Sequence, residues 1–325
     1  MAPGSEQLPL QNKGIFHNLP TFSPELKDLT AIVTGANGIS GFHTMRVLLE
    51  SPQRWKKVWA ASRRPPPEEM MALLSEEQRA RVEHVACDFL AKPDEIAAQF
   101  KDKGVKAEYI FFYSYAQPKP KPGAGAWSNA QELVDTNSEL SWRLHRLDER
   151  HGTLNSDADR ILSEWAVLND KCKNNKFNAS DTCPIPNNRL WPELARWYGC
   201  KGYGGPELDE SKLNVIDPGD VPTPLGFGPS RKLRYAWTLS GWAQDPTNAK
   251  AWKEIMEKHK VTHNPFDDIE AHFTFGDFAA WGPAFALSMN KARCFGWTGH
   301  VDTLESLYLA YSELSKVSVE DEGVV

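Results

Sequence analysis

Three glycines at a fixed spacing are the first residues in this chain whose pattern suggests a chemistry. Gly35, Gly38 and Gly41 form the pattern TGxxGxxG within the stretch TGANGISG, with Asn37 in the turn. In such a turn the first glycine permits a tight bend, the second lets the backbone approach a pyrophosphate, and the third lets the next helix pack closely. That helix, which starts near Ile39, would direct its free N–H groups at the phosphates. The pattern predicts a dinucleotide site; a glycine-rich turn that only packs tightly is the alternative.

Two arginines favour the phosphorylated form of the cofactor. Ser62 ends a second apolar stretch, and Arg63 and Arg64 follow it, about 20 residues after the glycines. An NAD site carries a carboxylate at this position for the ribose 2′-hydroxyl, whereas arginine forms forked, charge-assisted bonds to a 2′-phosphate. The sequence therefore predicts NADP(H) rather than NAD(H). A solvated basic loop before three prolines is the alternative.

Four further residues complete the predicted cofactor site. Asp88 ends a third β-rich stretch, where folds of this kind place a carboxylate against the adenine amino group, and Phe89 would flank the adenine ring. Ser114 and Tyr115 end a fourth apolar stretch and would face the path of the cofactor. An aspartate in a surface turn and ordinary sheet packing are the respective alternatives. The catalytic residues stay unassigned.

The elements that would position these residues alternate between strand and helix. Strand-like stretches begin at Leu29, Lys56, Arg81 and Ala107, and helical periodicity separates the first two and the last two. The fourth stretch, AEYIFFYSYA, is too apolar for an exposed face, which is typical of a buried parallel strand. This alternation predicts an α/β fold with a doubly wound parallel sheet of the Rossmann type, followed by a helix-rich C-terminal region.

Composition and the course of the chain set outer limits. The 325 residues carry a net charge of -6, which gives no basic footprint for nucleic acid, and no apolar run reaches the ~20 residues of a membrane span. Five widely spaced cysteines and the lack of a signal core favour a cytoplasmic location. We expect an N-terminal tail at residues 1–28, an NADP-binding domain at 29–140, and an irregular junction with a helix-rich substrate-binding region at 141–325.

At these residues the chain resembles the short-chain dehydrogenases/reductases, and within them the atypical PRISE group of progesterone 5β-reductase and iridoid synthase-like enzymes in its fungal form. TGANGISG, ASRRPPP, CDFL and FFYSYA carry the resemblance, with two C-terminal stretches that begin at Ser156 and Ser288. The resemblance implies an NADPH-dependent reductase that delivers hydride to the β-carbon of an α,β-unsaturated carbonyl compound, in some fungal members for secondary metabolism. It implies a small hydrophobic substrate and leaves a homodimer open.

The resemblance breaks where the family carries its catalytic residues. The family places a lysine and a catalytic tyrosine after the helix represented here by Asn137, yet no tyrosine and no lysine occurs between Leu140 and Ser156. The sheet is therefore expected to be incomplete, with an unpaired edge. Two hypotheses stay open: an NADP(H)-dependent oxidoreductase acting on a hydrophobic carbonyl compound, or a catalytically impaired dinucleotide-binding protein or shortened gene product.

Other tyrosines offer no clear substitute for the missing pair. Tyr115 and Lys119 formally spell YxxxK, a spacing that works on one helix face, but Pro118 and its neighbouring prolines exclude an ordinary helix. Three tyrosines of the C-terminal half stay unranked as pocket residues: Tyr198, Tyr203 and Tyr235.

Two remaining patterns have ordinary structural explanations. His259 and His263 are four residues apart, as zinc ligands can be, but no third ligand follows at a telling spacing, so we expect a solvated helix end and no metal. Trp281 and Trp297 are candidates to line an apolar substrate pocket, with core packing as the alternative.

Overall fold

A computed structural model shows the protein as two compact units. The first unit combines Met1–Lys119, Asn129–Leu190 and Ala286–Val325, and the second combines Pro120–Ser128 and Trp191–Phe285. The structure describes residues 9–116, 118, 128–129, 131–137, 157–181, 183, 185–205, 207–217, 232–261, 263–274, 276–277 and 287–319.

An antiparallel hairpin forms where the sequence predicts an irregular tail. β1 (Leu10–Lys13) and β2 (Phe16–Pro20) pair across a turn in which Gly14 has a φ of 56°. β2 also pairs with a short strand from the far end of the chain. Pro20 closes its strand instead of interrupting it, so the predicted tail is corrected for these residues.

Four parallel strands form the central sheet of the first unit: β3 (Leu29–Thr34), β4 (Trp55–Ser62), β5 (Val82–Ala86) and β6 (Tyr109–Phe111). Their order is β5-β4-β3-β6, so the order reverses between β3 and β6. In sheets of this kind a crevice opens at the carboxyl ends of the two strands where the order reverses, and ligands bind there. The predicted α/β fold with a doubly wound parallel sheet is confirmed.

Helices cover both faces of this sheet. α1 (Ile39–Leu49) follows β3 and packs its apolar side chains against one face. Two single turns, α2 (Glu68–Met71) and α3 (Glu76–Arg79), connect β4 to β5. α4 (Pro93–Asp102) packs the fully buried Ile96 against the opposite face. Side chains alternate between the faces along each strand, which is why the sheet contributes to two separate cores.

The later helices follow the predicted periodicity. α5 covers 131–137, α6 covers Asp157–Leu168 and α7 covers Asn187–Trp197. The described part of the second unit contains an antiparallel pair, β7 (Asn214–Ile216) and β8 (Leu233–Tyr235), which is followed by α8 (Leu239–Ala243) and α9 (Pro246–His259). Short 3-10 or π-helical turns occur at Asp170–Cys172 in the first unit and at Glu210–Lys212, Pro265–Asp267 and Glu270–Thr274 in the second.

The C-terminal end of the chain returns to the first unit. It contains α10 (Asn290–Cys294), β9 (His300–Val301), which is the partner of β2, and α11 (Thr303–Val319). The sequence assigns these elements and α6 to a substrate region, whereas the structure groups them with the sheet. The boundary predicted at residue 140 lies outside the described residues. No helix in the described part of the chain combines the length and hydropathy that a membrane crossing requires.

A buried ion pair attaches α6 to the sheet. The Glu164 carboxylate, 3% exposed, accepts a hydrogen bond from the Arg54 guanidinium at 2.5 Å and another from the Trp55 indole N–H at 2.7 Å. A buried charge is tolerated only when it is paired and hydrogen-bonded, and both conditions hold here. The contact joins the first residues of β4 to a helix that lies about a hundred residues later in the chain.

We expect Glu164→Ala to lower the free energy of unfolding by about 3 kcal/mol, because it leaves a partly buried guanidinium and a buried indole N–H without their acceptor. Urea unfolding measures the loss. Glu83→Ala is the control: its ion pair with Lys57 is solvent-exposed, so the expected loss is below about 1 kcal/mol. Equal losses in the two variants would contradict the proposed role of the buried pair.

Candidate functional site

The glycine turn is held by two backbone approaches that leave no room for side chains. Gly35 has a φ of 60°, and a Cβ atom on it would lie 2.6 Å from the carbonyl oxygen of Tyr113. A Cβ atom on Gly41 would overlap the carbonyl group of Gly35. At Gly38 the nearest atom to such a Cβ lies 3.4 Å away, so this position faces mainly open space. The three glycines thus occupy the positions that the sequence predicts.

Thr34, which the sequence analysis did not single out, fixes the neighbouring chain at the switch point. Its hydroxyl oxygen is fully buried and accepts hydrogen bonds from the backbone N–H groups of Tyr113 at 2.9 Å and Ser114 at 3.1 Å. β6 ends at Phe111, earlier than predicted, because this side chain replaces the next ladder bonds. The signal was available, since Thr34 directly precedes the first glycine.

The N-terminus of α1 has the local features of an anion site. Gly38, which has no side chain, occupies the N-cap position, and the first turn of the helix contains no acidic residue. Backbone N–H groups at a helix N-terminus and the positive end of the helix dipole attract phosphate. Ile39, 71% exposed, presents an apolar side chain beside them. Asn37 is half-buried within the turn.

The two arginines lie at the same edge of the sheet as the glycine turn. Thr34 pairs in register with Ala61, which places Ser62 beside Gly35 on the adjacent strand end. Arg63 and Arg64 follow and are exposed, and no described residue forms an ion pair or hydrogen bond with either guanidinium group. Both side chains are therefore available to an external anion.

The two predicted adenine contacts differ in exposure. Asp88 is exposed, and one carboxylate oxygen accepts from the N–H of Leu90 at 3.0 Å within its own turn. Phe89 is only 4% exposed, and its ring makes edge contacts with Phe100 and Phe112 at centroid distances of 6.4 and 6.0 Å. The expectation that the Phe89 ring flanks the adenine is corrected, because the ring faces the core beneath the sheet.

The chain after β6 is tied down by side chains from later helices. Tyr113 donates its phenolic hydrogen to the Ser163 hydroxyl at 2.9 Å. The Asn137 amide pairs with both backbone groups of Ala116, accepting from its N–H at 2.9 Å and donating to its carbonyl at 2.7 Å. Ser114 is half-buried and Tyr115 is 61% exposed, both beyond the end of the strand.

The weaker candidates are resolved in part. Trp297 is 5% exposed and packs on Trp165 at 5.4 Å inside a core, so it does not line a pocket. His263 contacts the ring of His272 at 5.0 Å, and no group of three metal ligands occurs among the described residues. Trp281 and Lys119 lie outside the described residues.

The unranked tyrosines belong to the second unit. Tyr198 and Tyr203 are exposed. Tyr235 lines an open cavity of about 320 Å³ together with Trp237 and Trp242. None of these positions assigns a catalytic role.

Cys87, beside the predicted adenine turn, is not a nucleophile. Its side chain is 2% exposed, and burial, followed by the charge of the adjacent Asp88, raises the pKa of the thiol to about 12. Thiolate is the reactive form of cysteine, and a buried thiol of this kind stays protonated at neutral pH. Its backbone N–H donates to the carbonyl of Ser62 at 3.1 Å.

Comparison with known proteins gives similarity to dehydrogenases over part of the chain. The chain is 26% identical over 161 residues to the short chain dehydrogenase gsfE of Penicillium aethiopicum, covering 49% of this chain and 38% of that protein. It is 25% identical over 150 residues to an (S)-8-oxocitronellyl enol synthase of Nepeta cataria, covering 44% and 30%. The chain thus spans well under half the length of these relatives.

Among solved structures, an NADPH-bound carbonyl reductase from chicken fatty liver is 17% identical, with a TM-score of 0.29 over 51% of this chain and 63% of that chain. No protein-family model matches the sequence. The similarity to these curated relatives, a short chain dehydrogenase and an enol synthase, covers less than half of this chain in each case.

We expect Gly35→Ala to destabilise the first unit by about 3 kcal/mol, because the new methyl group meets a backbone carbonyl in addition to the strain of a positive φ. Gly104→Ala is a matched control: its φ is 64°, but no atom lies within 4 Å of its Cβ position, so about 1 kcal/mol is expected. Thermal and urea unfolding measure both values. Similar losses at the two positions would contradict the close approach.

A thiol reagent should distinguish buried from exposed cysteines in the native protein. At pH 8 we expect rapid modification of Cys200 and Cys294, which are exposed, and modification of Cys87 and Cys172 only after unfolding. Burial raises the pKa of the Cys172 thiol to about 11 as well. Peptide mass spectrometry identifies the modified residues. Native-state modification of Cys87 at the rate of Cys200 would show that its thiol is accessible.

Proposed function

We propose that the first unit binds NADP(H) at the carboxyl edge of the sheet, across the switch point between β3 and β6. The observation that carries this proposal is that α1, which begins after Gly38 without an acidic residue in its first turn, starts beside a strand end that is followed by two exposed arginines. The pyrophosphate would lie on the N–H groups of α1, beside Gly38. The 2′-phosphate would lie between Arg63 and Arg64, each of which offers a forked donor pattern.

The remaining groups at this edge suit the other parts of the cofactor. The exposed Asp88 carboxylate keeps one oxygen for an adenine amino group, which is a donor. Ile39 offers an apolar contact. Ser114 and Tyr115, which follow β6, would lie along the cofactor as it extends from the glycine turn. A bound nicotinamide cofactor supplies a hydride, and these residues would bind and orient it.

We further propose that this chain forms all or part of an oxidoreductase. Its substrate would be a small hydrophobic carbonyl or α,β-unsaturated carbonyl compound. The support is the similarity to a short chain dehydrogenase and to an enol synthase, together with the cofactor edge. A role in secondary metabolism of the PRISE type belongs to the same proposal. Five free cysteines fit a cytoplasmic location.

A second candidate function is cofactor binding without efficient turnover. The specific observation is that Tyr113, a tyrosine at the switch point, already donates its hydroxyl hydrogen to Ser163, while residues 141–155 contain neither tyrosine nor lysine. A carbonyl reduction needs a proton donor near the substrate oxygen. In this alternative the chain would sense or store the cofactor.

The double variant Arg63→Ala/Arg64→Ala should bind NADPH at least tenfold more weakly than the wild type, with NADH binding changed less than about twofold, because only the 2′-phosphate loses its charged partners. Titration followed by tryptophan fluorescence measures both affinities. Arg79→Ala, at a half-buried arginine that precedes β5 and pairs with Glu68, controls for the loss of a positive charge outside the proposed site. Equal affinity of the wild type for NADPH and NADH would refute the cofactor assignment.

Steady-state oxidation of NADPH with a panel of enones and aldehydes separates the two candidate functions. Turnover at an ordinary enzyme rate of about 1 s⁻¹ supports the oxidoreductase function and refutes the hypothesis of cofactor binding without turnover. Saturable NADPH binding with no turnover above the buffer rate supports the second candidate.

A further inference from the structure

We infer that His84 is a positioning residue that selects NADP(H) over NAD(H), by holding the start of the loop that carries Arg63 and Arg64. The inference rests on the proposed function, and it names a residue that touches neither the pyrophosphate turn nor the arginine side chains.

The geometry centres on the carbonyl group of Ser62. Nε2 of His84 lies 3.0 Å from this oxygen, and the backbone N–H of Cys87 donates to the same oxygen at 3.1 Å. A carbonyl oxygen can only accept, so the Nε2 atom of His84 carries the hydrogen. Ser62 is 4% exposed, and its hydroxyl donates to the carbonyl of Arg64 at 2.7 Å.

Strand alternation explains how the His84 ring reaches the carbonyl of Ser62. Ala60 belongs to the core on the α1 face of the sheet, and Ser62 lies two residues further on the same face. On β5, Val82 packs against that same core while Val85 belongs to the opposite one, so His84 also lies on the α1 face. Its ring reaches diagonally from β5 to the last residue of β4.

Three hydrogen bonds thus define the first residues of the arginine loop. Two of them fix the carbonyl of Ser62, and the third closes a small turn up to Arg64. The guanidinium groups themselves have no partner among the described residues, so this backbone anchorage alone fixes their starting direction. Ordering long side chains on a ligand costs conformational entropy, and a preset loop lowers that cost. The benefit applies only to a ligand with a 2′-phosphate.

The test compares cofactor selectivity in the full chain. His84→Leu removes the donor, His84→Gln keeps an N–H donor, and Ser62→Ala removes the hydroxyl that closes the turn. His300→Leu serves as a control for loss of an exposed histidine on another strand. NADPH, NADH, 2′,5′-ADP and 5′-ADP are titrated against each variant, and thermal unfolding confirms that each is folded.

We expect His84→Leu and Ser62→Ala to lower the ratio of NADPH to NADH affinity about fivefold, which corresponds to one hydrogen bond. The ratio of 2′,5′-ADP to 5′-ADP affinity should fall by the same factor. His84→Gln should restore most of the ratio, and His300→Leu should leave it unchanged. An unchanged ratio in His84→Leu, in a wild type that prefers NADPH, overturns this inference alone. A wild type without preference overturns the proposed cofactor and this inference with it.

Discussion

The turn after β3 passes in direct contact with the chain after β6, and the proposed cofactor edge depends on that approach. It requires a residue without a side chain at Gly35 and a hydroxyl at Thr34 that accepts two N–H groups of the neighbouring chain. α1 begins at Ile39, four residues after the start of this contact. The close packing of Gly41 then fixes the direction of the helix.

Binding a dinucleotide and transferring its hydride make separate demands on a chain. The binding groups described above come from strand ends and one helix start, all within the first hundred or so residues. A proton donor must instead be brought from another element to the far end of the crevice. In this chain the hydroxyl of Tyr113 is engaged with α6, and the contacts of Glu164 hold that helix in place. The anchorage of α6 thus commits a tyrosine that a reaction would otherwise have available.

Local patterns predicted most of the sheet and the glycine turn, because runs of β-branched residues and the spacing of glycines depend only on residues that are close together in the sequence. The N-terminal hairpin was missed because β2 gains a partner, β9, from the opposite end of the chain. Phe89 was misjudged, and Trp297 was left open between pocket and core, because side-chain direction depends on which face a neighbour buries, which sequence alone does not give. Thr34 precedes the first glycine, which is a local signal, but the contacts that Thr34 and His84 form between strands depend on the register, which sequence alone does not give.

The amide of Asn137 presents the chain after β6 with one donor and one acceptor, the same pair that a peptide group of a further strand would present. This contact therefore depends on the chemical stability of the Asn137 amide as well as on folding. Hydrolysis of this amide to a carboxylate would keep the acceptor and delete the donor, leaving the carbonyl of Ala116 unmatched. A single spontaneous covalent change would thus loosen the chain after β6 without any mutation in the gene.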